Sequence, residues 1–152
     1  MSEGQNHVLD FMILYERYQK LKPGPQAELK RVAQPDDLLE IPAFYRLLHD
    51  ARAGKDMQRL VYCLPLITHQ ESGDSLGKAL AKAEINEKRL FMVIRSEEPN
   101  DLIQLRRLLK QSDKPKVDWI KMAKTIWNWN RPDLRVKQKL LEDFFLNQHT
   151  KK

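Results

Sequence analysis

Apolar residues recur at three- and four-residue spacing along almost the whole chain, and no Val/Ile/Thr-rich stretch alternates between turn dipeptides. That period lines side chains along one stripe of a helix, whereas a half-buried strand needs a period of two. The sequence therefore predicts an all-α fold, a compact helical bundle of about eight to nine helices. At 152 residues it has the length of one domain or two small helical subdomains. The polar stretch Gln70 to Asp74 is the expected hinge, dividing an N-terminal helical subdomain at 1–69 from a basic C-terminal one at 75–152. The two are expected to form one compact unit.

The helix stops and starts are legible. A first helix is expected from His7 to Leu21, with Phe11, Leu14, Tyr15 and Tyr18 on one face, ended by Lys22-Pro23-Gly24-Pro25. A short helix over Gln26 to Ala33 follows, then one carrying Phe44, Leu47 and Leu48 after Pro42, and a stripe of Met57, Leu60, Val61 and Leu64 checked by Pro65. Beyond the hinge, helices are expected at Leu76–Ala83, Asn86–Arg95, Pro99–Lys110, Asp118–Trp129 and Pro132–Leu146, with Asn86 and Asp118 as N-caps.

Composition closes off several classes. The longest apolar run, Leu60 to Ile67, has eight residues and contains Pro65, while a membrane span needs about 20. The first residues, Met1 to Asn6, carry an acid where a secretory signal has basic residues. Cys63 is the single cysteine and lies in an apolar stretch, so it reads as a buried thiol in a reducing, cytoplasmic compartment.

Charge is divided unevenly. Residues 1–76 hold 9 basic and 11 acidic side chains, residues 77–152 hold 18 and 10, and the whole carries a formal +6. A basic half attracts polyanions, nucleic acid foremost. On an ideal helix Arg106, Arg107 and Lys110 share one flank beside the stripe of Leu102, Leu105, Leu108 and Leu109. Lys121 and Lys124 share a face opposite Trp119, Met122, Ala123 and Ile126, and Lys88 with Arg95 and Arg135 with Lys139 form two further basic stripes. Such stripes suit a phosphate backbone, where each neutralised phosphate releases counterions. The alternative is a basic helical adaptor that docks acidic protein surfaces with no nucleic-acid role of its own. Trp127 and Trp129 lie in the apolar arc, which favours core over base stacking.

Catalytic patterns are missing. Gly73-Asp74-Ser75-Leu76-Gly77-Lys78-Ala79 is one residue short of a P-loop and lacks the hydroxyl after the lysine, so Gly77 reads instead as a close helix–helix contact. His7, His49, His69 and His149 form no metal-ligand spacing, and the adjacent acids Asp36-Asp37, Glu97-Glu98 and Glu142-Asp143 point about 100° apart on a helix. No enzyme, metal, cofactor or small-molecule substrate is expected.

Five segments taken in order carry a likeness: Ile41-Pro42-Ala43-Phe44-Tyr45-Arg46-Leu47, Ser75-Leu76-Gly77-Lys78-Ala79-Leu80-Ala81, Ile85-Asn86-Glu87-Lys88-Arg89, Gln104-Leu105-Arg106-Arg107-Leu108-Leu109 and Leu140-Leu141-Glu142-Asp143-Phe144. Together they resemble the CasB family, the small subunit of type I-E CRISPR Cascade complexes, from about Phe11 to Leu146. The resemblance implies a non-catalytic, all-helical subunit, present as two copies stacked head to tail beside the guide RNA, that holds the target DNA strands so that the R-loop stays open. Guide–target base pairing would read the sequence, and this subunit would hold backbone. Carried over by position, the basic residues are Arg31, Arg95, Arg107 and Lys124, then Arg52 and Arg131 or Arg135, with Lys121 joining them from its place beside Lys124. Glu97 and Glu98 depart from the basic character that the resemblance implies for residues 96–101. Arg46 and Arg106 adjoin core leucines and are candidates for intramolecular pairing instead.

Overall fold

The computed structural model describes residues 10–49 and 51–148. Among them are nine α-helices: α1 Phe11–Lys20, α2 Pro23–Lys30, α3 Pro42–Leu48, α4 Lys55–Cys63, α5 Leu76–Lys82, α6 Glu87–Arg95, α7 Asn100–Gln111, α8 Trp119–Trp127 and α9 Val136–Leu146. Two 3-10 turns, Pro35–Glu40 and Leu64–Leu66, bracket α3 and α4. The all-α expectation holds with one addition. Strand β1, Thr68–His69, pairs in parallel with β2, Lys116–Val117, with Thr68 opposite Lys116 and His69 opposite Val117. Two residues per strand are too few for alternation to register in a sequence.

Asn86 and Asp118 cap α6 and α8, each carboxamide or carboxylate oxygen accepting two first-turn amides, and Ser75 caps α5. The expected start of the first helix at His7 lies outside the described residues. Within them Asp10 caps α1, accepting from the amides of Met12 and Ile13. The prolines after Lys22 end α1 but also begin the next helix, so α2 runs over Pro23–Lys30 instead of Gln26–Ala33. First-turn amides have no intrahelical acceptor, so prolines there remove nothing. Near the end of the chain, α9 begins at Val136 and not at Pro132, after turns at Arg131 and Leu134.

One apolar cluster runs from Leu14 on α1 to Phe144 on α9. Helix α4 lies at its centre, buried at every position from Met57 to Cys63, with α2, α7 and α8 packed around it. Helix α8 also packs on α1, so elements from both halves of the chain share this core. Burial pushes the Cys63 thiol up to about 12, which leaves it protonated and unreactive. Helices α5 and α9 pack closely at Gly77. A Cβ on Gly77 would lie 2.6 Å from the Leu140 carbonyl oxygen and 2.6 Å from the Asp143 Cβ, so only glycine fits there.

Candidate nucleic-acid interface

All eight sequence-nominated cations, Arg31, Arg52, Arg95, Arg107, Lys121, Lys124, Arg131 and Arg135, are exposed. They come from different elements. Arg31 is the C-cap of α2, Arg52 lies between α3 and α4, and Arg95 and Arg107 sit on the mutually packed α6 and α7. Lys121 and Lys124 are three residues apart on α8 and so share a face. Arg131 and Arg135 follow on the connection to α9, where Arg135 is left-handed at φ 50°. Three of the eight are engaged within the chain. Lys121 Nζ donates to the Gly73 carbonyl at 3.2 Å, Arg131 pairs with Asp133 at 3.1 Å, and the Arg95 guanidinium lies 5.0 Å from the Phe91 ring centroid. The Arg131 hydrogen bonds hold the Asp133 carboxyl below the usual carboxylate range. Arg31, Arg52, Arg107, Lys124 and Arg135 make no side-chain hydrogen bond or ion pair among the described residues.

Arg106 is not on the basic flank where the helical projection puts it. It is 3% exposed, and its two terminal nitrogens donate to the carbonyls of Leu29, Lys30 and Val32, while the guanidinium lies 4.4 Å from the Tyr62 ring centroid. The signal was present in the sequence, since Arg106 projects only about 40° from Leu102. Two other arginines play the same part. Arg59, 4% exposed, donates to the carbonyls of Ile126 and Trp127 at the end of α8, and Arg17 reaches those of Leu47 and Leu48 at the end of α3. The last carbonyls of a helix lack amide partners and carry the negative end of its dipole, so a guanidinium there satisfies both. Arg59 also pairs with Asp56, and its Nη1 lies 4.0 Å from Glu98.

Opposite in sign is Asp101, wholly buried at the start of α7. Its Oδ2 accepts from Trp129 Nε1 at 2.9 Å and Lys137 Nζ at 3.2 Å. Sequence reading missed both Arg59 and Asp101, because a charged residue in a helix reads as surface until its neighbours are known. The tryptophans are core. Trp129 is 2% exposed and bonded to Asp101, Trp119 donates to the Phe11 carbonyl at 2.8 Å, and half-buried Trp127 stands 6.2 Å from the Phe11 ring.

Among the described residues no group of three or more His, Cys, Asp or Glu could hold a metal, and no described helix is long and apolar enough to cross a membrane. Lys78, the lysine of the glycine-rich segment, pairs with Asp74 at 3.6 Å, and Lys82 joins it at 2.9 Å. His69 accepts the Trp119 amide on Nδ1 at 3.0 Å, a structural bond that closes the loop after β2. His149 lies outside the described residues.

The fold and its surface define a compact helical protein with a scatter of exposed cations, five of them without side-chain partners among the described residues, and three arginines turned inward. The chain belongs to the CRISPR-associated protein Cse2 family, whose model matches residues 26–145. It is 41% identical over 154 residues to the CRISPR system Cascade subunit CasB of Escherichia coli (strain K12), covering 91% of this chain and 94% of that protein. It also matches a chain of the crystal structure of E. coli Cascade bound to a PAM-containing dsDNA target, with a TM-score of 0.83 and 42% identity over 92% of this chain and 97% of the other. The crystal structure of M. ruber CasB shares the fold, with a TM-score of 0.67 at 16% identity over 91% of this chain and 95% of the other.

Proposed function

We propose that this chain is a non-catalytic small subunit of a type I-E CRISPR Cascade complex, which holds nucleic-acid backbone without sequence preference and keeps the guide RNA–target R-loop open. It works in the cytoplasm beside the other Cascade subunits and a second, head-to-tail copy of itself. The observation that carries the reading is the match, over 92% of the chain, to a subunit within a target-bound Cascade. Support comes from five exposed cations without side-chain partners among the described residues, Arg31, Arg52, Arg107, Lys124 and Arg135. Arg95, Lys121 and Arg131 take part with weaker claims on a phosphate, because each already has a partner in the chain. The subdomains at 1–69 and 75–152 act as one unit on the strands.

Fluorescence anisotropy of the purified chain with labelled single-stranded DNA, single-stranded RNA and duplex, titrated with salt, tests this. About five phosphate contacts give a log–log slope near −3.5 on single strands, at roughly −0.7 per contact. Arg107→Glu/Lys124→Glu should flatten that slope and weaken all strands alike. No binding at low salt would shift the reading to an adaptor that docks acidic protein surfaces.

A further inference from the structure

The connection that carries Arg31 out of α2 is held by hydrogen bonds on both sides of the Arg31–Val32 peptide. The Arg31 amide donates to the carbonyls of Ala27 at 3.1 Å and Glu28 at 3.3 Å. The carbonyls of Leu29, Lys30 and Val32 all accept from the buried Arg106 guanidinium. Next in line, the Ala33 carbonyl accepts from Tyr62 Oη at 2.7 Å, and the amides of Ala33 and Gln34 both donate to Asp37 Oδ2 at 3.1 Å. An ordinary helix end needs one or two such bonds. Here the backbone is immobilised while the two side chains at its apex, Lys30 and Arg31, stay exposed and unpaired among the described residues.

Binding a polyanion orders the cations that grip it, and that cost falls when their backbone is already fixed. We infer that Arg106 is a positioning residue: from inside the core it fixes the backbone under Lys30 and Arg31, so that these two cations meet a nucleic-acid phosphate backbone already in place. The planar fork suits this task, since it spans three carbonyls at once where a lysine ammonium would act as a single point. This inference rests on the strand-holding reading above, and goes beyond it by assigning a role to a residue that no strand can touch.

The test is a double-mutant cycle read as salt slope, on the full chain with a labelled oligo(dT) strand. In the unmodified protein Arg31→Ala should flatten the slope by about 0.7, one phosphate contact. In the Arg106→Lys background the same change should flatten it by less than half as much, while Lys124→Ala still flattens it by about 0.7. Should Arg106→Lys fail to fold, Tyr62→Phe keeps the ring beneath the guanidinium and removes only the bond to Ala33, and should give a smaller coupling of the same sign. Equal losses for Arg31→Ala in every background would overturn the inference and leave the strand-holding reading intact. Absence of binding by the unmodified protein would overturn both.

Discussion

Helix α7 is tied into the molecule by two buried charges, Asp101 in its first turn and Arg106 at its middle, and the two ties differ in what they grip. Asp101 gathers side chains, Trp129 Nε1 and Lys137 Nζ, and so locates α9 without touching the backbone between Asn130 and Arg135. Arg106 grips backbone carbonyls, those of Leu29 and Lys30 in the last turn of α2 and that of Val32 just beyond it, and so fixes the backbone on either side of Arg31. A side-chain tie sets where an element lies, whereas a backbone tie sets where every side chain on a loop begins. Arg31 makes no side-chain pair among the described residues, while on the connection to α9 Arg131 is matched by its neighbour Asp133 and Arg135 is not.

The largest expected effect breaks the acidic tie. Asp101→Ala leaves the Trp129 N–H and the Lys137 ammonium without their buried acceptor and should cost about 3–5 kcal/mol in urea unfolding. A loss below about 1 kcal/mol would show that α9 is held by apolar packing alone.

Alkaline pH should loosen the other end. Burial pushes both Tyr18 and Cys63 up to about 12, with the Arg106 charge opposing it in each case, and Tyr62 is raised for the same reason. The unfolded chain gives up these protons nearer 10.0 and 9.0. Stability from these groups is therefore complete below about pH 9 and is lost as pH rises toward 12. Urea midpoints should fall between about pH 8 and pH 11, and fall less in Cys63→Ala.

Trp129→Phe separates the two donors on Asp101. It removes the indole N–H together with part of the ring's buried volume and should cost roughly 1–3 kcal/mol, leaving the Lys137 bond in place. Tyr62→Phe, the matching change beside Arg106, should cost about 1 kcal/mol, and amide exchange should quicken at Ala33 and Gln34 before it does elsewhere. Asp133→Asn should leave the unfolding midpoint nearly unchanged, as exposed pairs do, and should tighten strand binding about twofold by releasing Arg131. A drop in affinity instead would place Asp133 in the role of orienting Arg131.

Much of this fold is legible in the sequence because its helices announce themselves locally. Asn86, Asp118 and the leucines of α7 need no partner to be read. The prolines at 23 and 25 end α1 as expected and also open α2, because a helix stop and a helix start look alike until the first-turn amides are located. The β1–β2 ladder escaped notice because pairing between residues 68–69 and 116–117 is a fact of tertiary structure. Lys121 and Lys124 are nominated by projection on a helix, and Arg31, Arg52 and Arg131 by the family resemblance. Of the inward arginines Arg106 is legible from its place about 40° from Leu102, whereas Arg59 is not, because whether it faces water depends on which other helix ends against it.

The close seat of Gly77 against Leu140, Asp143 and Phe144 has a consequence for the order in which the protein is made. Synthesis runs from the N-terminus, so the face of α5 that carries Gly77 emerges about sixty residues before the helix that covers it. Throughout that interval it must wait uncovered, and any side chain placed at position 77 would meet its obstacle only at the last stage, when α9 arrives to close over it.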